Sequence, residues 1–253
     1  MTPASPHPSN PAQPQPHRFG IRMGGLEAPL QDLITQHAGL AAPDRPYNLV
    51  EIGSAGCVTL RAFKDILSAA RGDRPWRVLG LDLPEDKAWS LDWNEIRTAF
   101  DGVPHILRDG VDLSTYATNQ MYLMLLADPR TYLHDAFPFP IDFCFIDGCH
   151  GKCAGRDFCA IESKVAPGGV VVFHDYGEIE QGTDYQIHCR EFISVRSYVH
   201  RLGLASPCIT PRKGWRFVGE IPGSRRWNGD GNSAAVVQRT GEPLENQPEL
   251  SLD

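Results

Sequence analysis

Five carboxylates share one setting along this chain. Glu51, Asp82, Asp109, Asp147 and Asp175 each end, or directly follow, a short apolar run. A single acid in such a place is most often a helix N-cap or a loop carboxylate. Five at one edge of a sheet need hydroxyls, cations or amines to satisfy them. Two histidines accompany them: His150, three residues after Asp147, and His174, directly before Asp175. An imidazole, with an ordinary pKa of ~6.5, suits proton transfer at neutral pH. His174 reads equally well as a core residue held by a backbone carbonyl. Glu51-Ile52-Gly53-Ser54-Ala55-Gly56 supplies a small-residue turn that lets a ligand approach the backbone. The dinucleotide fingerprint G-x-G-x-x-G is absent, which lowers a nicotinamide-dependent oxidoreductase reading. An acid ahead of the turn would repel a pyrophosphate and suits a cationic or amine-bearing ligand.

The elements that must carry these residues alternate. Leu26, Leu30, Leu33 and Ile34 recur at helical spacing, predicting a helix over about 25–38. Short apolar runs predict strands at Tyr47–Ile52, Arg77–Asp82, His105–Arg108, Ile141–Asp147 and Val170–Asp175. Helices are predicted between them over 59–71, 85–100 and 152–164, and another over 187–202. The stretch 113–140 reads as part of a lid, with a helix at Met121–Leu126. Two last strands, Trp215–Glu220 and Ala234–Gln238, have no helix between them and should pair antiparallel at one edge. Strand–helix alternation implies right-handed crossovers and a parallel sheet covered on both faces. The expected fold is thus a doubly wound, Rossmann-like α/β domain with a seven-stranded, mostly parallel sheet. In such a sheet ligands bind beyond the carboxyl ends of the strands, where the five acids fall.

Composition bounds the function. The chain has 253 residues, a formal charge of −7 and 42% hydrophobic residues. The acidic balance argues against charge-driven nucleic-acid binding. No apolar run approaches the ~18 residues of a membrane span. Seven scattered cysteines read as reduced thiols of a cytoplasmic protein. Residues 1–18, with six prolines, and 243–253 are expected to be disordered tails around a domain at 19–242. The spacing of Cys149, His150, Cys153 and Cys159 matches no paired zinc pattern. His134, His188 and His200 read as surface residues, as does the basic group of Arg212, Lys213, Arg216, Arg225 and Arg226. Oligomeric state is left open.

Four segments together resemble the class I S-adenosylmethionine-dependent methyltransferases, in the branch carrying FIDGDH … PGG … FHDY. They are Glu51-Ile52-Gly53-Ser54 with Thr59; Gly80-Leu81-Asp82; Asp142 to His150; and Pro167-Gly168-Gly169 through His174-Asp175-Tyr176. The resemblance spans roughly residues 45–200. It implies that Glu51, Gly53 and Ser54 line the methionine end of S-adenosylmethionine, that Asp82 binds the ribose hydroxyls, and that Asp109 lies near the adenine, with Asp147 also at the cofactor. It implies Asp147 and Asp175 as Mg2+ ligands, as in metal-dependent small-molecule O-methyltransferases, and His150 where that enzyme type carries its base. The implied reaction is O-methylation of a small molecule or sugar hydroxyl. The chain departs from the pattern at several points. Cys57 stands where glycine is usual, suggesting an offset turn with Gly56 as substitute. Cys149 replaces an acid, and Tyr176 stands where a third metal ligand is common. These departures motivate a rival reading as a non-catalytic binding protein.

Overall fold

In a computed structural model, residues 26–84, 91–102, 104–148, 152–177, 195–205, 211–223 and 233–244 are described. The strands are β1 (Tyr47–Ile52), β2 (Trp76–Asp82), β3 (Ile106–Arg108), β4 (Gln120–Leu125), β5 (Ile141–Ile146), β6 (Val165–Phe173), β7 (Trp215–Ile221) and β8 (Ala234–Arg239). The helices are α1 (Glu27–Leu40), α2 (Val58–Arg71), α3 (Trp93–Ala99), a single turn α4 (Pro129–Thr131) running into π-helical Tyr132–Ala136, α5 (Lys152–Ile161) and α6 (Val195–Arg201). The tail expected at 1–18 lies outside the described residues, as does all but the start of 243–253.

The strands form one eight-stranded sheet in the order β3-β4-β2-β1-β5-β6-β8-β7. Every pairing from β3 to β6 is parallel, whereas β8 pairs antiparallel with both β6 and β7, as expected of the last two strands. The eighth strand corrects the sequence expectation. Met121–Leu126 is not a helix; Gln120–Leu125 is a strand inserted between β3 and β2. Met and Leu favour helices locally. Here burial on both faces decides: Met121 through Leu126 are all buried, the pattern of an interior parallel strand.

β1 and β5 are buried along their whole length because both faces of the sheet are covered. On one side Leu49, Phe143 and Phe145 pack with α1 and α2, where Phe63 meets the Phe145 ring edge-on at 5.4 Å. On the other, Val50, Ile52, Cys144 and Ile146 pack with α5 and α6, where Phe158 meets Trp215 at 4.9 Å. Arg212, read from sequence as a surface residue, thus has structural work. Arg212 is 7% exposed and bridges to Glu162, which also accepts from the Trp215 Nε1.

Two polar devices hold the covering layers. Arg71 donates to the carbonyls of Ala38, Ala41, Ala42, Arg45 and Pro75, at 3.1–3.3 Å, closing the path from α1 into β1. The second device joins α5 to the segment after β4. The Arg130 Nε donates to Asp157 at 2.7 Å, and Asp157 is 5% exposed. Burial pushes the Asp157 carboxyl up to about 6, against the pull of Arg130.

Removing the Arg71 guanidinium leaves the buried Ala38 carbonyl and several part-buried ones without their donor, each a loss of up to roughly 1–3 kcal/mol where water cannot enter. Arg71→Met is expected to lower unfolding free energy by about 2–4 kcal/mol; an unchanged urea midpoint would refute the clamp. Asp157 has a folded value above the ~3.9 of an unfolded aspartate. Its contribution is therefore present below about pH 4 and lost as pH rises through about 6. Wild-type stability measured against Asp157→Asn should fall across that window; parallel pH profiles would contradict the burial effect.

Candidate active site

The carboxyl ends of β2, β1, β5 and β6 are stitched into one row beyond the regular sheet. The Gly53 amide donates to Leu81 O at 2.8 Å, the Asp147 amide to Ile52 O at 2.9 Å, and the His174 amide to Ile146 O at 3.0 Å. This row brings Asp82, Gly53, Asp147 and His174 side by side. Gly53 is required twice over. Its φ of +90° favours glycine, and a Cβ there would meet Asp147 O at 2.5 Å and collide with the Gly148 backbone.

The turn after β1 corrects the expectation of an offset. Gly56 does not replace the expected glycine at 57; Cys57 itself takes the left-handed conformation, φ +60°, at the N-terminus of α2. Ala55 is also left-handed, at φ +40°. The bare Cα of Gly56 instead leaves room for the Glu95 carboxylate of α3, which lies over the turn. Nothing in the spacing of Glu95 had marked it as a neighbour of this turn.

Glu51 is 1% exposed, and its Oε2 has no hydrogen-bond partner among the described residues. Burial, then the neighbouring Asp147 carboxylate, push its carboxyl well above the ordinary range; Ser54 and His174 oppose this. Ser54 is itself buried, and its hydroxyl lies where a Cβ on Gly80 would fall. Asp82 is tied to the turn, accepting from the Ala55 amide at 2.8 Å and the Leu83 amide at 2.7 Å. Burial raises its carboxyl and these amides oppose the rise.

Asp109 does not join the group. It is exposed at the tip of the edge strand β3 and accepts from the Ala127 amide at 3.2–3.3 Å. The inserted β4 separates it from Asp82. His150 and Cys149 lie outside the described residues.

Asp147 and Asp175 do converge, and His174 stands between them. Its Nδ1 is 2.6 Å from Asp147 Oδ1 and 3.3 Å from Asp175 Oδ2. Among the described residues neither ring nitrogen has an aligned hydrogen bond, so the contact is ionic rather than directional. His174 is 5% exposed. Burial opposes its charge, but Asp147 and Asp175 outweigh burial and hold the imidazole well above its ordinary value. Among the described residues no backbone carbonyl holds the ring, contrary to the core reading. Neighbouring side chains on a strand point to opposite faces. Asp175, at φ +52°, breaks that alternation as β6 ends, so that residues 174 and 175 both reach Asp147.

Tyr176 stands apart from this group. Its hydroxyl shares a hydrogen bond with His200 Nε2 at 2.8 Å, and its ring lies 4.5 Å beneath the Arg196 guanidinium. His200, read from sequence as a surface residue, is thus a structural partner. Asp157 lies just behind the site, its Oδ2 3.6 Å from where a Gly148 Cβ would be.

A family model described as "Methyltransferase domain" matches residues 50–176. No curated protein matches the chain. Among solved structures, the O-methyltransferase of Bacillus cereus in complex with S-adenosylhomocysteine is similar at a TM-score of 0.53 and 17% identity, covering 91% of this chain and 84% of its own. The O-methyltransferase TomG of Streptomyces achromogenes, involved in tomaymycin synthesis and solved with S-adenosylmethionine, is similar at 0.52 and 15%, covering 85% of this chain and 81% of its own. The matched segment contains the whole row from Glu51 to Tyr176, and the sheet is of the Rossmann-like methyltransferase type: this chain belongs to the methyltransferase domain family.

Proposed function

We propose that the protein transfers a methyl group from S-adenosylmethionine to a hydroxyl of a small molecule or sugar, with a divalent cation at Asp147 and Asp175. The observation that carries the cofactor reading is Glu51. A buried carboxylate oxygen without a partner among the described residues, two residues before a small-residue turn, calls for a cationic or ammonium group. The sulfonium and amino groups of S-adenosylmethionine supply that character.

The donor set also suits a divalent cation. Two carboxylates and a buried imidazole without an aligned partner place one ligand atom each within 4.8 Å of one another. Mg2+ is the ion that the sequence resemblance implies. A cation held there would lower the pKa of the acceptor hydroxyl and orient it.

S-adenosylmethionine supplies an electrophilic methyl group bound to a positively charged sulfur. The protein's task is then alignment and exclusion of water. Gly53 and Gly148 let the ligand lie against the strand tips. Asp82, held by two amides, offers a fixed acceptor to a ribose diol. Glu51 balances positive charge at the methionine end. His150 is assigned as the base that takes the acceptor's proton.

Burial raises the Glu51 carboxyl, and a cationic ligand beside it would favour the charged form. Affinity for S-adenosylmethionine should therefore rise with pH, and Glu51→Gln should flatten that dependence; a slope surviving in Glu51→Gln, read by calorimetry, removes Glu51 from the cofactor site. His150→Ala should lower turnover on the order of 100-fold or more, with cofactor affinity nearly unchanged. Turnover equal to wild type would eliminate His150 as the base.

A further inference from the structure

Resting on the functional reading above, we infer that His174 is the third ligand of the cation site and that this donor set selects a first-row transition ion such as Mn2+, Co2+ or Zn2+ over Mg2+. In the sequence pattern the third oxygen ligand follows the second acid. That position is Tyr176, whose hydroxyl is engaged by His200. The third donor comes instead from the residue before the acid.

Three observations place it there. The His174 Nδ1 approaches both carboxylates, at 2.6 and 3.3 Å. The side chain is 5% exposed and neither nitrogen has an aligned hydrogen bond among the described residues, so a buried polar group faces the acids. The left-handed backbone at Asp175 turns neighbouring side chains to one partner. Residues outside glycine adopt that conformation at a cost of roughly 1–2 kcal/mol, and such outliers concentrate at functional sites. The Phe145 ring, 5.7 Å from the imidazole, packs beside it.

The ion class follows from the donors. Mg2+ takes hard oxygen ligands and parts reluctantly with its waters. Imidazole nitrogen suits ions such as cobalt and zinc, and affinity for mixed nitrogen and oxygen sites rises from manganese to copper and falls back at zinc. One nitrogen and two carboxylates therefore favour the transition ions, while the two acids keep enough charge to bind them.

The test uses the full chain stripped of metal, with Co2+ as the probe. One equivalent should bind and produce visible d–d absorption bands. Zn2+ at comparable concentration should displace it, whereas Mg2+ in ~100-fold excess should not. His174→Asn should weaken Co2+ binding on the order of 100-fold, and His174→Asp should shift preference toward Mg2+. Displacement of Co2+ by equimolar Mg2+, no Co2+ binding, or an unaltered Co2+ spectrum in His174→Asn would overturn the proposal. The wild-type competition stands even if a variant does not fold. Calorimetry with S-adenosylhomocysteine on the same samples separates the two readings. Cofactor binding without a Co2+ site refutes the metal assignment alone; a Co2+ site without cofactor binding refutes the methyl-donor reading.

Discussion

The site depends on how closely two backbones meet at the ends of β1 and β5. Gly53 and Gly148 face one another with no room for a side chain between them. That contact lets the row of amide-to-carbonyl bonds run on past the sheet, from Leu81 through Gly53 and Asp147 to His174. Each functional side chain is hung from that row. Its precision comes from rigid, fully buried strands rather than from loops, the arrangement best able to hold reacting groups in register.

Burial then turns placement into chemistry. Glu51, Asp82, Asp147, His174 and Asp175 bring mostly negative groups into a region of low solvent access. Such a group is tolerated only if protons or cations attend it. The protein meets part of this demand itself: amides of the turn serve Asp82, and His174 serves Asp147 and Asp175. Glu51 remains, with an oxygen served by nothing among the described residues. The unmet demand points toward a positively charged ligand, whereas a phosphate-bearing cofactor would enlarge it.

Much of this was readable from sequence because it rests on local signals. The short runs ending in Ile52, Asp82, Ile146 and Phe173 announced the central strands, and acids at their ends announced the edge. What was hidden depends on tertiary context. Gln120–Leu125 carries helix-favouring residues and becomes a strand only because the sheet buries both its faces. His174 gives no hint of its partners until Asp175 bends the chain. Arg212 looks like a surface cation until Glu162, fifty residues away, is seen beside it. Cys57 adopts a conformation that favours glycine, so its residue type pointed away from its role.

The inserted strand β4 also divides the sheet into two regimes of constraint. Everything from β2 to β6 must keep its register, since a slip of one residue would reverse every side chain in the row. Among the described strands β3 pairs with β4 alone, and its tip carries Asp109 out toward solvent. That border can absorb drift in sequence, or a grafted loop, without shifting the register of the strands that carry Glu51, Asp147 and His174.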